Sequence, residues 1–541
     1  MSGLPLRGAA QVRRELAAGR ELALVDLREE ARYAGGHPLF AVQISLSRLE
    51  LEVLARIPRR DTPVTLYDGG EGLLERAAAV LAALGYHDVA VLDGDLDGWR
   101  AAGGELFIDV NVPSKAFGEL VASELGTPLL APEHLAELQA QGADLVVLDA
   151  RRYDEYRTMS IPGGISVPGA ELVLRARELA PRPQTWIVVN CAGRTRSIIG
   201  AQSLLNAGIP NPVKALRNGT IGWSLAGLAL EHGQQRRYPD LPDSQRRAQA
   251  AQAARSLADA AGVGRAGAVE LARWQADPLR TTYLFDVRSD EEYARGHLPG
   301  ARPVPGGQLV QETDHYASVR GARIALVDDD GVRANMSASW LAQMGWDVWV
   351  LDGLAPTLFS ERGDWSPPLP EPPQVALVAA VELAQWLRQG DTVLLDFTGS
   401  ANHVARHIPG ARWALRAQLP ELLARLPRAA RYVATCGNGS LARYAVADLE
   451  RLGVAPAYLL DGGTAAWIEA GLPVEQGNGD LLSPRIDRYR RPYEGTDNPH
   501  AAMQAYLDWE YGLVAQLARD GTHRFRVLSP LPVGHALAVA G

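Results

Sequence analysis

The sequence predicts an α/β protein of four tandem domains, each a small parallel sheet flanked by helices, followed by a helical C-terminal tail. Three observations predict it: a domain-sized internal repeat, strands that alternate with helical patterns inside each copy, and a length of 541 residues that suits about four domains at roughly 150 residues each. The repeat opens on strand-like runs ending in aspartate at Asp26, Asp149, Asp286 and Asp396. Each is followed at near-constant distance by a second strand and a short loop, at Asp68, Cys191, Asp328 and Cys436. A third strand and turn follow, ending at Asp93, Asn218, Asp352 and Asp461, and an aromatic comes soon after at Trp99, Trp223, Phe359 and Trp467. Chance does not hold two spacings nearly constant over four copies.

Within the second copy, Leu145–Ala150 and Thr185–Asn190 are strand-like, and Ser197–Leu205 has a helical pattern that Gly208 stops. Such alternation argues for a parallel sheet covered on both faces, with ligands beyond the carboxyl ends of its strands. The domains are placed at 1–110, 125–235, 264–368 and 374–477, with the tail at 478–541. The Ala-, Gln- and Arg-rich stretch from Arg236 to Gly264 predicts a linker helix, and the proline-rich Ser366–Pro373 a semi-rigid spacer. The tail holds a turn-rich stretch and one amphipathic helix.

A net charge of −9 without a basic block argues against a nucleic-acid partner. No apolar run approaches the ~18 residues of a membrane span, and the N-terminus shows no secretory signal. Two cysteines in separate domains form neither a disulfide framework nor a CxxC pair. The expectation is a reducing, cytoplasmic setting with free thiols. Neither a metal-ligand cluster nor a phosphate-binding GxxxxGK[ST] loop occurs, so no cofactor is expected; the glycines around Gly70 belong to the repeat.

The chemistry lies in the loops. In Cys191-Ala192-Gly193-Arg194-Thr195-Arg196 the backbone amides can wrap around the sulfur at a helix N-terminus, a setting that favours an anion. Arg194 and Arg196 add positive charge, which predicts a thiol pKa lowered to about 3.5–7.5. Cys436-Gly437-Asn438-Gly439-Ser440 offers amides and a hydroxyl, but its nearest arginine in sequence is Arg443, so weaker dianion binding is expected there.

With these loops, the early pattern "DVRSDEEYARGHLPGA" at Asp286–Ala301, its counterparts "DARRYDEYRTMSIPGG" and "DFTGSANHVARHIPGA", the eroded first copy "DLREEARYAGGHPLFA" and the "LDG…W" ending, the chain resembles the rhodanese family over about four-fifths of its length. The resemblance implies a sulfurtransferase without a cofactor. Its loop cysteine takes a sulfane sulfur from thiosulfate or a similar donor as a persulfide and passes it to a thiol or cyanide acceptor, with a protein sulfur acceptor also possible. Cys191 and Cys436 match the nucleophile. Ala192, Gly193, Arg194, Thr195 and Arg196 match the donor-binding cradle of one, and Gly437, Asn438, Gly439 and Ser440 that of the other. The second and fourth domains are thus the cysteine-bearing copies, while Asp68 and Asp328 imply noncatalytic first and third domains. The alternation suggests two silent–active pairs.

Two other readings compete. One is a sulfur-relay or scaffold protein whose silent domains dock partners. The other is a phosphatase, but relatives of that kind have one more residue between cysteine and arginine than separate Cys191 from Arg196, and Cys436 has no arginine at either distance. The strand-end aspartates are expected to bond backbone amides. His297 and His407 read as structural, and the tryptophans after "LDG" as either cleft or core.

Overall fold

The computed structural model describes residues 3–239 and 244–529. It contains four parallel sheets that repeat one strand order. In the first, Leu6–Gly8, Val89–Asp93, Val64–Tyr67, Ala23–Asp26 and Ala41–Gln43 lie side by side in that order. The next two sheets copy it. The fourth adds a sixth strand, Asp480–Leu481, beside Arg412–Trp413. Central strands such as Val64–Tyr67 and Arg323–Val327 are buried at every residue. That is why they read as continuous apolar runs rather than as an alternation.

The strands that lead into the cysteine loops are Trp186–Asn190 and Arg431–Thr435, each next to the aspartate-ended strand of its domain. Both loops therefore lie at the carboxyl edge of a sheet. The helices that follow are Thr195–Asn206 and Ser440–Arg451. The predicted linker helix is present as Ser244–Ala260, while 366–373 holds no helix or strand. The final helix is His500–Asp520. A further helix, Val112–Leu125, joins the first two domains. Its first turn carries Pro113, which suits a position whose N–H has no helical partner.

Two silent–active pairs are present, as the alternation suggests, and the buried contacts identify the partners. The second domain packs on the third: Arg333 reaches Glu171 at 3.0 Å, and a Cβ on Gly307 would stand 2.9 Å from the Gly169 nitrogen. The first packs on the fourth through the equivalent segment: Arg416 holds both oxygens of Glu50 at 2.6 and 2.8 Å, and the Ala417 amide donates to Ser47 Oγ at 3.0 Å. The two silent domains also meet each other. Leu22 and Arg320 exchange backbone hydrogen bonds, and the Tyr283 hydroxyl donates to the Arg56 carbonyl at 2.6 Å. The pairs are thus first with fourth and second with third, because the buried ion pairs and the close glycine contact occur across those faces.

Candidate active site

Each cysteine loop is fixed from below by the helix that follows the "NG" or "DGG" turn. In the second domain the Thr220 and Ile221 amides donate to the carbonyls of Cys191 and Ala192, at 2.9 and 3.0 Å. In the fourth the Thr464 and Ala465 amides do the same for Cys436 and Gly437, at 2.8 and 2.9 Å. A Cβ on Gly219 would lie 2.3 Å from the Cys191 carbonyl oxygen, and one on Gly463 2.3 Å from that of Cys436. Both glycines also have positive φ, so the repeated turn demands glycine twice over. The aromatics just beyond are core: Trp99, Trp223 and Trp467 are buried, and their indole N–H groups donate to the carbonyls of Glu105, Ala229 and Pro473.

Cys191 is 2% exposed. Its Sγ donates to Ser197 Oγ at 3.4 Å, and Ser197 Oγ in turn donates to the Arg194 carbonyl at 2.8 Å. Burial pushes the Cys191 thiol up, with Arg196 and the Ser197 hydrogen bonds opposing. The expected low pKa is therefore overturned. Local loop amides and arginines were the only groups visible in sequence, and desolvation by distant elements outweighs them. Cys436 behaves alike: burial pushes it up, while the amides of Ala442, Leu441 and Gly439 pull the other way. The Ala442 amide points at Cys436 Sγ from 3.5 Å.

The arginines of the first cysteine loop are both committed to carboxylates. Arg194 gives Nε and Nη2 to Glu119, at 2.7 and 2.8 Å, and Nη1 to Tyr511 and Asn218. Arg196 gives both Nη groups to Glu155, at 2.7 and 2.8 Å. A cavity of about 470 Å³ opens on the Arg196 side, walled there by Glu155, Arg491 and Tyr493. Ala192, Gly193 and Thr195 lie in the turn itself, and Thr195 Oγ1 is buried without a partner. In the fourth domain Asn438 caps the loop by accepting from the Ser440 amide at 3.1 Å, and Gly439 supplies a left-handed residue before the helix. Arg443 faces away, toward the Pro373 carbonyl. An arginine of the first domain, Arg48, interacts electrostatically with Cys436 while its Nε donates to Glu52 at 2.6 Å. Sequence spacing within one domain could not reveal it.

The silent loops fill their own cradles. Asp68 accepts from the Gly70 and Leu73 amides, at 2.9 and 2.6 Å. Asp328 accepts from those of Gly331 and Ala334, at 3.1 and 2.8 Å. The strand-end aspartates bond backbone as expected: Asp26, Asp149, Asp286 and Asp396 each accept the amide two residues on. The first three also bind the guanidinium of that residue, and Asp396 faces His403 Nδ1 at 2.7 Å. His297 and His407 bond the carbonyls of Tyr293 and His403 and stack on those same rings, a structural role.

A family model for the rhodanese-like domain matches residues 8–102, 131–226, 268–353 and 379–470. The chain belongs to the rhodanese family. A solved structure described as thiosulfate sulfurtransferase from Pseudomonas aeruginosa is 65% identical, with a TM-score of 0.96, covering 97% of this chain and 100% of that one. A curated thiosulfate sulfurtransferase of the same organism is 29% identical over 216 residues, 33% of this chain and 79% of the relative. An HTH-type transcriptional regulator of Mycobacterium tuberculosis is 27% identical over 234 residues, 41% of this chain and 90% of the relative. The protein is a rhodanese-type sulfurtransferase with four tandem copies of the domain. Among the described residues, no helix of this rhodanese is long and apolar enough to cross a membrane, and no group of three or more His, Cys, Asp or Glu could hold a metal.

Proposed function

We propose that Cys191 is the sulfur carrier, taking the outer sulfur of thiosulfate or a similar donor and delivering it to a thiol, or to cyanide in an assay. The thiolate attacks the outer sulfur and the sulfur–sulfur bond of the donor breaks. Sulfite leaves with the electron pair, and a persulfide remains on Cys191. The acceptor then attacks the persulfide's outer sulfur and frees the thiolate. Charge on the transferring sulfur is met by loop amides and by Arg196, groups held in place before the reaction begins. The observation that carries this reading is that a sulfur stands at Cys191 where the silent loops place a carboxylate that consumes the amides itself. The thiosulfate sulfurtransferases among its relatives support the choice of donor. Cys436, with its Ala442 amide and Arg48 nearby, is a second carrier of lower capacity. Free thiols in separate domains suit a reducing cytoplasm.

The test is thiosulfate:cyanide sulfur transfer by wild type, Cys191→Ser, Cys436→Ser and the double variant, with intact-mass detection of one added sulfur atom. Cys191→Ser is expected to lose most of the turnover and of the added sulfur, with the remainder, carried by Cys436, lost only in the double variant. A wild type that neither turns over nor takes up sulfur from thiosulfate would sink the proposal and favour the relay or scaffold reading.

A further inference from the structure

The helix His500–Asp520 lies outside all four repeats, yet it closes over the Cys191 loop. A Cβ on Gly193 would stand 3.1 Å from Tyr506 Cε1 and 3.2 Å from Glu510 Oε2. Tyr506 donates its hydroxyl proton to Glu510 Oε1 at 2.8 Å. Glu510 is 0% exposed and its other oxygen, Oε2, has no hydrogen-bond partner. An orphaned carboxyl oxygen in so dry a place is costly unless it has a use. The same helix supplies Tyr511, whose hydroxyl accepts from Arg194 at 2.9 Å and whose ring lies 4.1 Å from that guanidinium.

We propose that this helix is part of the Cys191 site and that Glu510 on it is a positioning residue that governs the ionisation of the Cys191 thiol. The proposal rests on Cys191 being the sulfur carrier. The groups that face Glu510 come from three elements: Glu119 and Lys115 from Val112–Leu125, Arg194 from the loop, and Tyr506 from its own helix. Burial, with the Glu119 carboxylate adding to it, pushes the Glu510 carboxyl up to about 8, while Lys115, Tyr506 and Arg194 act the other way. Below that pH the side chain is a neutral acid and leaves a thiolate at Cys191 unopposed. Above it the carboxylate raises the thiol further. Ionised Glu510 thus delays thiolate formation at Cys191 to higher pH.

The experiment measures the rate of Cys191 alkylation by iodoacetamide against pH in the full chain carrying Cys436→Ser, with native melting checked for every variant. Glu510→Gln is expected to match the parent near pH 6 and to exceed it by about three- to tenfold near pH 9, as removal of a like charge beside a buried thiol should. Tyr506→Phe removes the hydrogen bond that favours the ionised carboxylate, so it should move the depressed part of the parent profile to higher pH. A Glu510→Gln profile that superimposes on the parent overturns the proposal. If Glu510→Gln fails to fold, an unchanged Tyr506→Phe profile does the same. Alkylation needs no sulfur donor, so a parent that takes no sulfur from thiosulfate would defeat the carrier reading while leaving this measurement decisive.

Discussion

Arg196 closes a two-pronged ion pair on Glu155, and the same pair recurs in a domain that has no cysteine. Arg333 bonds Glu292 at the corresponding positions of the silent third domain, and both guanidinium groups follow their loop residue by the same interval. A pair kept where no sulfur can be carried ties the cradle helix to the short helix that follows the aspartate-ended strand, Tyr153–Thr158 or Asp290–Arg295. In the second domain Arg196 does this while also facing the thiol. In the first and fourth domains Leu73 and Leu441 take the arginine's place.

The arginine partners hold the carboxyls of Glu155 and Glu292 down to about 2 against burial that acts the other way. A depressed carboxylate gives stability that is fully present above its ordinary value of 4.5 and is lost as pH falls toward about 2. Glu155→Gln should remove that acid dependence from the second domain and cost about 3–5 kcal/mol by leaving Arg196 uncompensated. Thermal melting between pH 2 and 7 reads both effects. Glu292→Gln should lower stability similarly while leaving sulfur uptake at Cys191 intact.

The first and fourth domains should part when Arg416 is removed. Arg416 is buried and bonds Glu50 across the interface and Asp448 within its own domain. Arg416→Ala strands Glu50, leaves Asp448 to Arg451 alone, and is expected to cost about 3–5 kcal/mol. Calorimetry should then resolve an early transition for the fourth domain, where wild type melts in fewer steps.

Replacing the cradle aspartate should harm the silent loop without awakening it. Asp68→Ala orphans the amides of Gly70 and Leu73, for an expected loss of about 1–3 kcal/mol. Chemical denaturation gives the magnitude, and mass spectrometry should find no sulfur added to the first domain.

Arg48 tests whether one domain equips another. In a Cys191→Ser background, Arg48→Ala should raise the KM for thiosulfate at Cys436 by about tenfold, the loss of one favourable charge near a dianion. Steady-state kinetics at low ionic strength provides the check, since salt screens a half-exposed cation.

The fourfold plan, the parallel sheets and the position of both thiols were legible because they depend on local spacing. An aspartate, a loop and a glycine turn must recur at fixed intervals if one sheet is to place them together. Domain pairing was not legible, since all four copies carry the pairing segment and only the buried contacts of Glu50, Arg416, Glu171 and Arg333 select partners. The thiol's ionisation was misread for a related reason. Arg194 and Arg196 are visible beside Cys191, but Glu119, Glu155, Tyr506 and Glu510, which neutralise them or cover the loop, come from elsewhere in the chain. The amphipathic pattern of the last helix announces an apolar face without naming what it covers.

The pairing of first with fourth around second with third is nested, like brackets within brackets. The inner pair can assemble once the third domain exists, but the outer one must wait for the fourth. Until then the first domain holds Glu50 and Ser47 ready on an unmet face. Arg194 and Tyr511 stand 317 residues apart in sequence, so the loop that bears Cys191 stays uncovered through most of synthesis. Assembly order, rather than any added inhibitor, thereby dictates when this thiol first acquires its finished surroundings.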